Sequence, residues 1–296
     1  MKQRIERLEL DGDKGISSAV AVDNRGRRRR VEADWFVSAM PAERFERLLS
    51  KPLLKAQPEL AGIKKLKEDW MVGIQFFLTE RIDITPGHVT YVDSKWRLTS
   101  LTQAQFWPER DFPAHYGDGK AVDCLSVDIS DWNTPGPVTG KTGKFCKHGE
   151  VAKEVWGQIT DHLKDTDPVI TKPGLVHSWF LDPGVKWHPA KGRNSNATPL
   201  LINTAGSWDL RPEATTKLSN LFVAGDYIRT DIDLATMEGA NESGRKAVAG
   251  LLEASGSKAK PPQMYSLYDP PEFEGAKAAD LELYKQGKPN ALDVEA

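Results

Sequence analysis

Apolar and polar positions alternate in two short runs near the start of the chain, "RIERLEL" and "SSAVAVD", with the turn formers Asn24 to Gly26 following them. A period of two predicts strands on both sides of that turn. In "RRVEADWFVSAMPAERFERLL" the run Val37 to Met40 stops at Pro41, which predicts a strand handing over to a helix with Phe45, Leu48 and Leu49 on one face. From about Lys51 to Thr204 aromatic-rich runs ("WMVGIQFFL", "WRLTSLTQAQFW", "AVDCLSVDI") alternate with Pro and Gly, which predicts a mostly antiparallel sheet. One helix interrupts it, because Val151, Val155, Ile159 and Leu163 recur every four residues. "GLVHSWFLDP" and "TPLLINT" predict two more strands, and Asn220 to Ala254 reads as strand, turn, helix. After Gly256, proline and charge predict an extended tail with one short helix near Ala276 to Tyr284; whether its tyrosines and Phe273 pack on the rest is left open.

Composition narrows the picture. At 296 residues and 39% hydrophobic the chain can bury a sizeable core, and its net charge of -2 gives no overall attraction to nucleic acid. The one dense basic run, Arg27 to Arg30, follows an Asn-Arg-Gly turn and is expected to be a solvated hairpin tip. Cys124 and Cys146 lie in unrelated contexts, which argues against a disulfide framework or a structural zinc and makes a reducing cytoplasm the default. No run approaches the ~18 apolar residues of a membrane span, and a peripheral membrane contact stays open. The six histidines never fall at HxH or HxxxH spacing and no GxSxG occurs, so neither a metal site nor a serine hydrolase is expected. His177 suits a structural role better than a place in a substrate cavity; Trp96, Trp107, Trp179 and Trp208 could wall an apolar channel or simply pack a core.

The chemistry concentrates in "LFVAGDYIRTDIDLATMEGANESGRKAVAGLLE", residues 221 to 253. A buried strand ends in Gly225-Asp226, where glycine lets the backbone approach a ligand and the carboxylate can accept hydrogen bonds from hydroxyls. Thr236, Met237 and Glu238 then open a helix whose free N–H groups and dipole suit negative charge, either a pyrophosphate or the anionic edge of a flavin ring. The plain alternative is an ordinary crossover whose glycine only closes the turn.

Beyond spacing, "NLFVAGDYIRT…ATMEGANESGR" closely resembles the C-terminal FAD-binding motif of the flavin-dependent amine oxidase and phytoene desaturase superfamily. "EADWFVSAMPAERFERLL", "DSKWRLTSLTQAQFW" and "PLLINTAGSWDLRP" resemble further stretches of it, covering most of residues 1 to 255, and the subgroup resembled is phytoene-desaturase-like or hydroxysqualene-dehydroxylase-like. The resemblance implies a mixed α/β chain: part of a Rossmann-like FAD domain (residues 1–45 and 206–256), a mostly antiparallel substrate domain (46–205) and a tail (257–296). It implies that Asp226 meets the ribityl-pyrophosphate region and that Met237 offers its N–H to the pyrimidine edge of FAD. By the same resemblance Gly225, Thr236 and Glu238 line the pocket, Ile5 lies near the adenine, and Ala39 and Pro41 lie beside the dinucleotide.

Members of that superfamily open with a strand, a GxGxxG loop and a helix, none of which this sequence contains. By the family pattern roughly two hundred residues precede the match. Three explanations are open: a split enzyme completed by a second polypeptide, a truncated product, or a domain that no longer binds FAD. The first is favoured, because a sheet lacking its central strands exposes an apolar edge. The expected activity is hydride transfer between flavin and an apolar, isoprenoid or lipid-like substrate, with no indispensable general base marked in the sequence. The rival is a non-catalytic scaffold subunit.

Overall fold

The computed structural model describes residues 3–12 and 14–290. The chain forms two compact units, one from residues 1–66 and 203–296 and the other from 67–202. In the first, β1 (Gln3–Asp11), β2 (Gly15–Asp23) and β3 (Arg28–Val31) make an antiparallel sheet in that order. The central strand reads as a run of small apolar residues and is buried almost throughout, as a strand covered on both faces should be. The basic run does not sit at a hairpin tip alone. Asp23 caps the turn by accepting the N–H groups of Arg25 and Arg27, but Arg28 and Arg30 lie within β3 and pair with Glu6 and Glu9 of β1. Strand periodicity thus puts alternate arginines on a face already lined with carboxylates.

Next come β4 (Phe36–Ser38), α1 (Ala42–Phe45) and α2 (Lys51–Ala56). Pro41 starts α1, and the helix expected here is only four residues long before it tightens into a 3-10 turn over Glu46–Leu48. Phe45, Leu48 and Leu49 are nevertheless all buried. A 3-10 segment at Pro58–Lys65 follows; Gly62 lies so close to the 207–210 turn that a Cβ there would stand 2.1 Å from the Leu210 carbonyl oxygen.

The second unit contains β5 (Lys67–Asp69), β6 (Val72–Leu78), β7 (His88–Thr90), β8 (Leu98–Thr102), α3 (Phe112–His115), β9 (Asp123–Ile129), α4 (His148–Leu163), β10 (Val176–Leu181), β11 (Val185–His188), β12 (Arg193–Asn196) and β13 (Leu200–Ile202). Its main sheet is wholly antiparallel in the order β10-β6-β9-β8-β7, as the alternating runs predict. Alternate residues of β6 (Val72, Ile74, Phe76, Leu78) are buried, and Val151, Val155, Ile159 and Leu163 of α4 join the same core. Each such side chain contributes about 1.5–3 kcal/mol on burial. Trp96 lies inside this core, stacked on Trp132 at 6.1 Å, so it walls no channel. "QAQFW" does not extend β8, because Ala104–Phe106 turns into a 3-10 helix.

The chain then returns to the first unit with β14 (Leu221–Val223), α5 (Met237–Ser255) and α6 (Glu274–Lys285). β14 pairs in parallel with β4, and on its other side bridges Thr215. The tail is tied down at two places. Arg245 donates to the Gln263 carbonyl at 2.8 Å and lies 5.4 Å over the Tyr265 ring, and the Tyr284 hydroxyl donates to Asp209 at 3.1 Å.

Two glycines separate packing from propensity. Gly62→Ala should lower stability by about 2–3 kcal/mol, since the clash is with backbone. Gly149, on the exposed first turn of α4 with nothing near its missing Cβ, should gain about 0.5–1 kcal/mol as alanine. Urea midpoints followed by circular dichroism compare the two; equal midpoints would contradict the close approach at Gly62.

Candidate functional site

Because β4 and β14 run parallel, the turns that leave their carboxyl ends emerge on the same side. Gly225 and the Met40–Pro41 segment therefore become neighbours, a Cβ on Gly225 standing 3.5 Å from the Met40 carbonyl. Gly225 has φ +138°, and the same Cβ would meet the Tyr227 ring at 2.7 Å, so a side chain is excluded by conformation and by space. Its N–H donates to Ser243 Oγ at 3.0 Å, and Ser243 donates onward to the Ala240 carbonyl at 2.7 Å, which fastens the turn to α5.

Asp226 is half-buried. Burial pushes its carboxyl above the ordinary range, Glu43 adds to the shift, and Arg211 opposes it. Tyr227 is fully buried and stacks on Phe45 at 6.0 Å; burial raises its phenol, and its hydroxyl lies beside that of Ser38 without a well-formed hydrogen bond.

Residues 229–236 lead into α5 and are held along their length. Glu242, buried on the second turn of the helix, accepts the Asp231 N–H at 2.7 Å and the Ile232 N–H at 3.1 Å, and Lys246 reaches both Glu242 and the Arg229 carbonyl. Gly239 packs so tightly that a Cβ would lie 2.5 Å from the Leu234 carbonyl oxygen. Thr236 caps the helix, its hydroxyl accepting the Gly239 N–H at 3.2 Å. Among the described residues the N–H groups of Met237 and Glu238 have no protein partner, as the first turn of a helix requires, and Met237 is 84% exposed. Beside them is a cavity of about 460 Å³ lined by Ile232, Met237, Glu238, Asn241, Arg245 and Tyr265.

The structure thus brings together Gly225, Asp226, Ala39 and Pro41 at the ends of the parallel pair, and Thr236, Met237 and Glu238 at the start of α5. Ile5 lies on β1, paired with Ala21 of β2. Sequence reasoning passes over Arg211, Asn203 and Glu242, whose only signal is polarity inside apolar or turn-rich stretches. His177 lies on exposed β10 and pairs with Asp118 at 3.2 Å. Among the described residues no three His, Cys, Asp or Glu side chains converge as metal ligands, and no helix is long and apolar enough to cross a membrane.

The donor set fits a flavin. Two free N–H groups at the positive end of a 19-residue helix face outward, and two glycines keep the backbone bare.

Glu242 has a consequence that can be measured. Burial acts to raise its pKa, but the Asp231 and Ile232 N–H groups and Lys246 outweigh burial and hold it below the ordinary glutamate value. A depressed carboxyl stabilises the fold above the unfolded-state value and loses that contribution as pH falls through the folded-state value. Glu242→Gln should therefore cost about 1–2 kcal/mol at pH 7, with the gap to the parent closing below about pH 4. Denaturation at a series of pH values reads this; a gap that stays constant down to pH 3 would contradict it.

The family model described as flavin containing amine oxidoreductase matches residues 1–252. No curated protein matches the chain. Among solved structures, OxyS anhydrotetracycline hydroxylase from Streptomyces rimosus is similar at 12% identity with a TM-score of 0.34, over 86% of this chain and 38% of that one. The chain therefore spans about 38% of the length of that structure. With the family model covering all of β1 to β14 and most of α5, and with a helix start that suits its cofactor FAD, the chain belongs to the flavin-containing amine oxidoreductases.

Proposed function

We propose that the chain is part of an FAD-dependent oxidoreductase of the phytoene-desaturase-like kind, working by hydride transfer between the flavin and an apolar, isoprenoid or lipid-like substrate. In this reading a second polypeptide supplies the dinucleotide-binding loop. The observation that carries the reading is the start of α5, where unpartnered N–H groups of Met237 and Glu238 stand beside the cavity and the Gly225–Asp226 turn is tied to the same helix through Ser243. When bound, the flavin supplies the hydride chemistry at its ring. The protein's own part is to offer the Met237 N–H and the helix dipole to negative charge at the pyrimidine edge, and to place the Asp226 carboxylate against ribityl hydroxyls.

Two features support the rest. β4 pairs with β14 alone among the described residues, and Val37 within it is half-exposed, while Trp35 just before it packs on Phe222 of β14. Parallel strands are ordinarily covered on both sides, so the other edge of β4 suits a strand from another polypeptide. In the second unit, a groove of about 450 Å³ between α4 and β10 is lined by Phe76, Trp156, Val176 and Trp179 together with Lys153 and Lys172, which suits a ligand with an apolar body and a polar or anionic end.

Purification from the native source without denaturant tests the reading. Flavin bands between about 350 and 500 nm, together with a companion polypeptide bearing GxGxxG, are expected. A colourless, monodisperse single chain would leave the scaffold alternative instead. In the complex, Gly225→Val should weaken FAD binding more than tenfold, roughly, through strain at φ +138° and the clash with Tyr227; unchanged flavin content in the folded variant would remove Gly225 from the site.

A further inference from the structure

One cluster in the first unit is built more heavily than an ordinary turn needs. Arg211 follows the 3-10 turn Ser207–Leu210, and its side chain is 1% exposed. One terminal nitrogen donates to the Asp233 carboxylate, the other donates to Asn203 Oδ1 at 2.6 Å, and the Asn203 amide donates to the Asp233 carbonyl. Each of the three residues therefore holds the other two. Asp233 has φ +44°, a left-handed conformation unfavourable for a residue with a Cβ, which persists only where its surroundings enforce it. Its N–H is taken by the Thr230 hydroxyl at 3.1 Å, while Glu242 grips Asp231 and Ile232 on the other side of the bend.

A buried guanidinium is expensive to desolvate and gains little stability over an apolar replacement. Its place here has a different consequence. The bend it fixes delivers Thr236 and Met237 to the start of α5, and its charge also reaches Asp226 at the end of β14.

We propose that Arg211 is a positioning residue for the cofactor: locked by Asn203 and Asp233, it sets the 230–236 bend, and through it the placement of the Met237 N–H relative to Asp226. The proposal rests on the flavin reading above, and its tests separate the two. Asp233 is the accessible handle, its side chain being 41% exposed, so variants there spare the buried core.

Three variants in the full chain, purified with its companions, carry the test. Arg211→Met and Asp233→Ala should each weaken FAD binding about tenfold or more, followed by quenching of flavin fluorescence, because a hydrogen bond to a charged group is lost in each. Asp233→Asn, which keeps both the acceptor and tolerance of the left-handed conformation, should stay within about threefold of the parent. A general loss of stability would not spare Asp233→Asn in this way.

Two further readouts need no flavin. Amide exchange at Asp231, Ile232 and Asp233 should quicken about tenfold or more in Asp233→Ala, since the bend loses its clamp. The carboxyl of Asp226, whose charged neighbours are Glu43 and Arg211, should titrate at higher pH in Arg211→Met than in the parent, followed by carbon NMR. If Arg211→Met fails to fold, Asp233→Ala and Asp233→Asn decide alone. Faster exchange with no FAD bound by any form, the parent included, would overturn the flavin reading and keep the clamp. Folded Asp233→Ala with parental FAD affinity would overturn the positioning role, and unchanged amide exchange would overturn the clamp itself.

Discussion

Three residues of parallel pairing, Phe36–Ser38 against Leu221–Val223, are the contact on which the candidate site depends. A parallel register aims the carboxyl ends of both strands the same way, and in open α/β sheets ligands collect at those ends. Antiparallel pairing of the same residues would carry Gly225 and Pro41 to opposite ends of the pair. The register is held from outside as well as along the ladder: Asn220 donates to the Ile16 and Asp34 carbonyls and accepts the Ile16 N–H, tying β14 to β2 and to the approach to β4. Gly15 leaves room for that amide, since a Cβ there would lie 2.7 Å from Asn220 Oδ1.

Around this pairing, charged groups are buried for geometry more than for stability. Arg211, Glu242 and, in the second unit, Glu154 are all nearly inaccessible, and each is held chiefly by loop backbone or loop side chains, with Arg211 Nε left without a partner among the described residues. Glu154 accepts the N–H groups of Val138 and Thr139 and the Thr139 hydroxyl, doing for the 136–139 loop what Glu242 does for the 229–236 bend. A carboxylate that accepts several loop donors fixes a conformation that apolar packing leaves soft, because hydrophobic contact is not directional. Both units therefore place a glutamate on a helix to discipline the loop beside it.

Local pattern made the elements legible and long-range pairing hid the supports. The alternation in "VGIQFFL", the four-residue recurrence in α4 and the apolar strand ahead of Gly225 each declare themselves within a dozen residues, because backbone period and burial coincide there. The opening of a helix at Thr236 to Glu238 was legible for the same reason, while the structure adds that Thr236 is its cap and Met237 its first residue. Arg211 carries no such mark: its partners are Asn203 and Asp233, separated along the chain and brought together only by the fold. The run Arg27 to Arg30 is solvent-exposed, as its dense charge suggests, but its ion-pair partners Glu6 and Glu9 lie on another strand and carry no local signal. The open question of the tail was one of tertiary contact, which composition alone does not carry.

The interrupted first unit also imposes an order of events during synthesis. Asp34, beside β4, and Asn220, beside β14, are 186 residues apart in sequence, with the whole second unit between them. At about 5–20 residues per second a ribosome needs roughly 10–40 s to cover that interval. For that time β4 has left the ribosome while its own strand partner does not yet exist, whereas the antiparallel sheet of the second unit, with its partners closer together in the chain, can finish first. The nascent chain thus presents a folded middle flanked by an unpaired strand, and the first unit is the last to close.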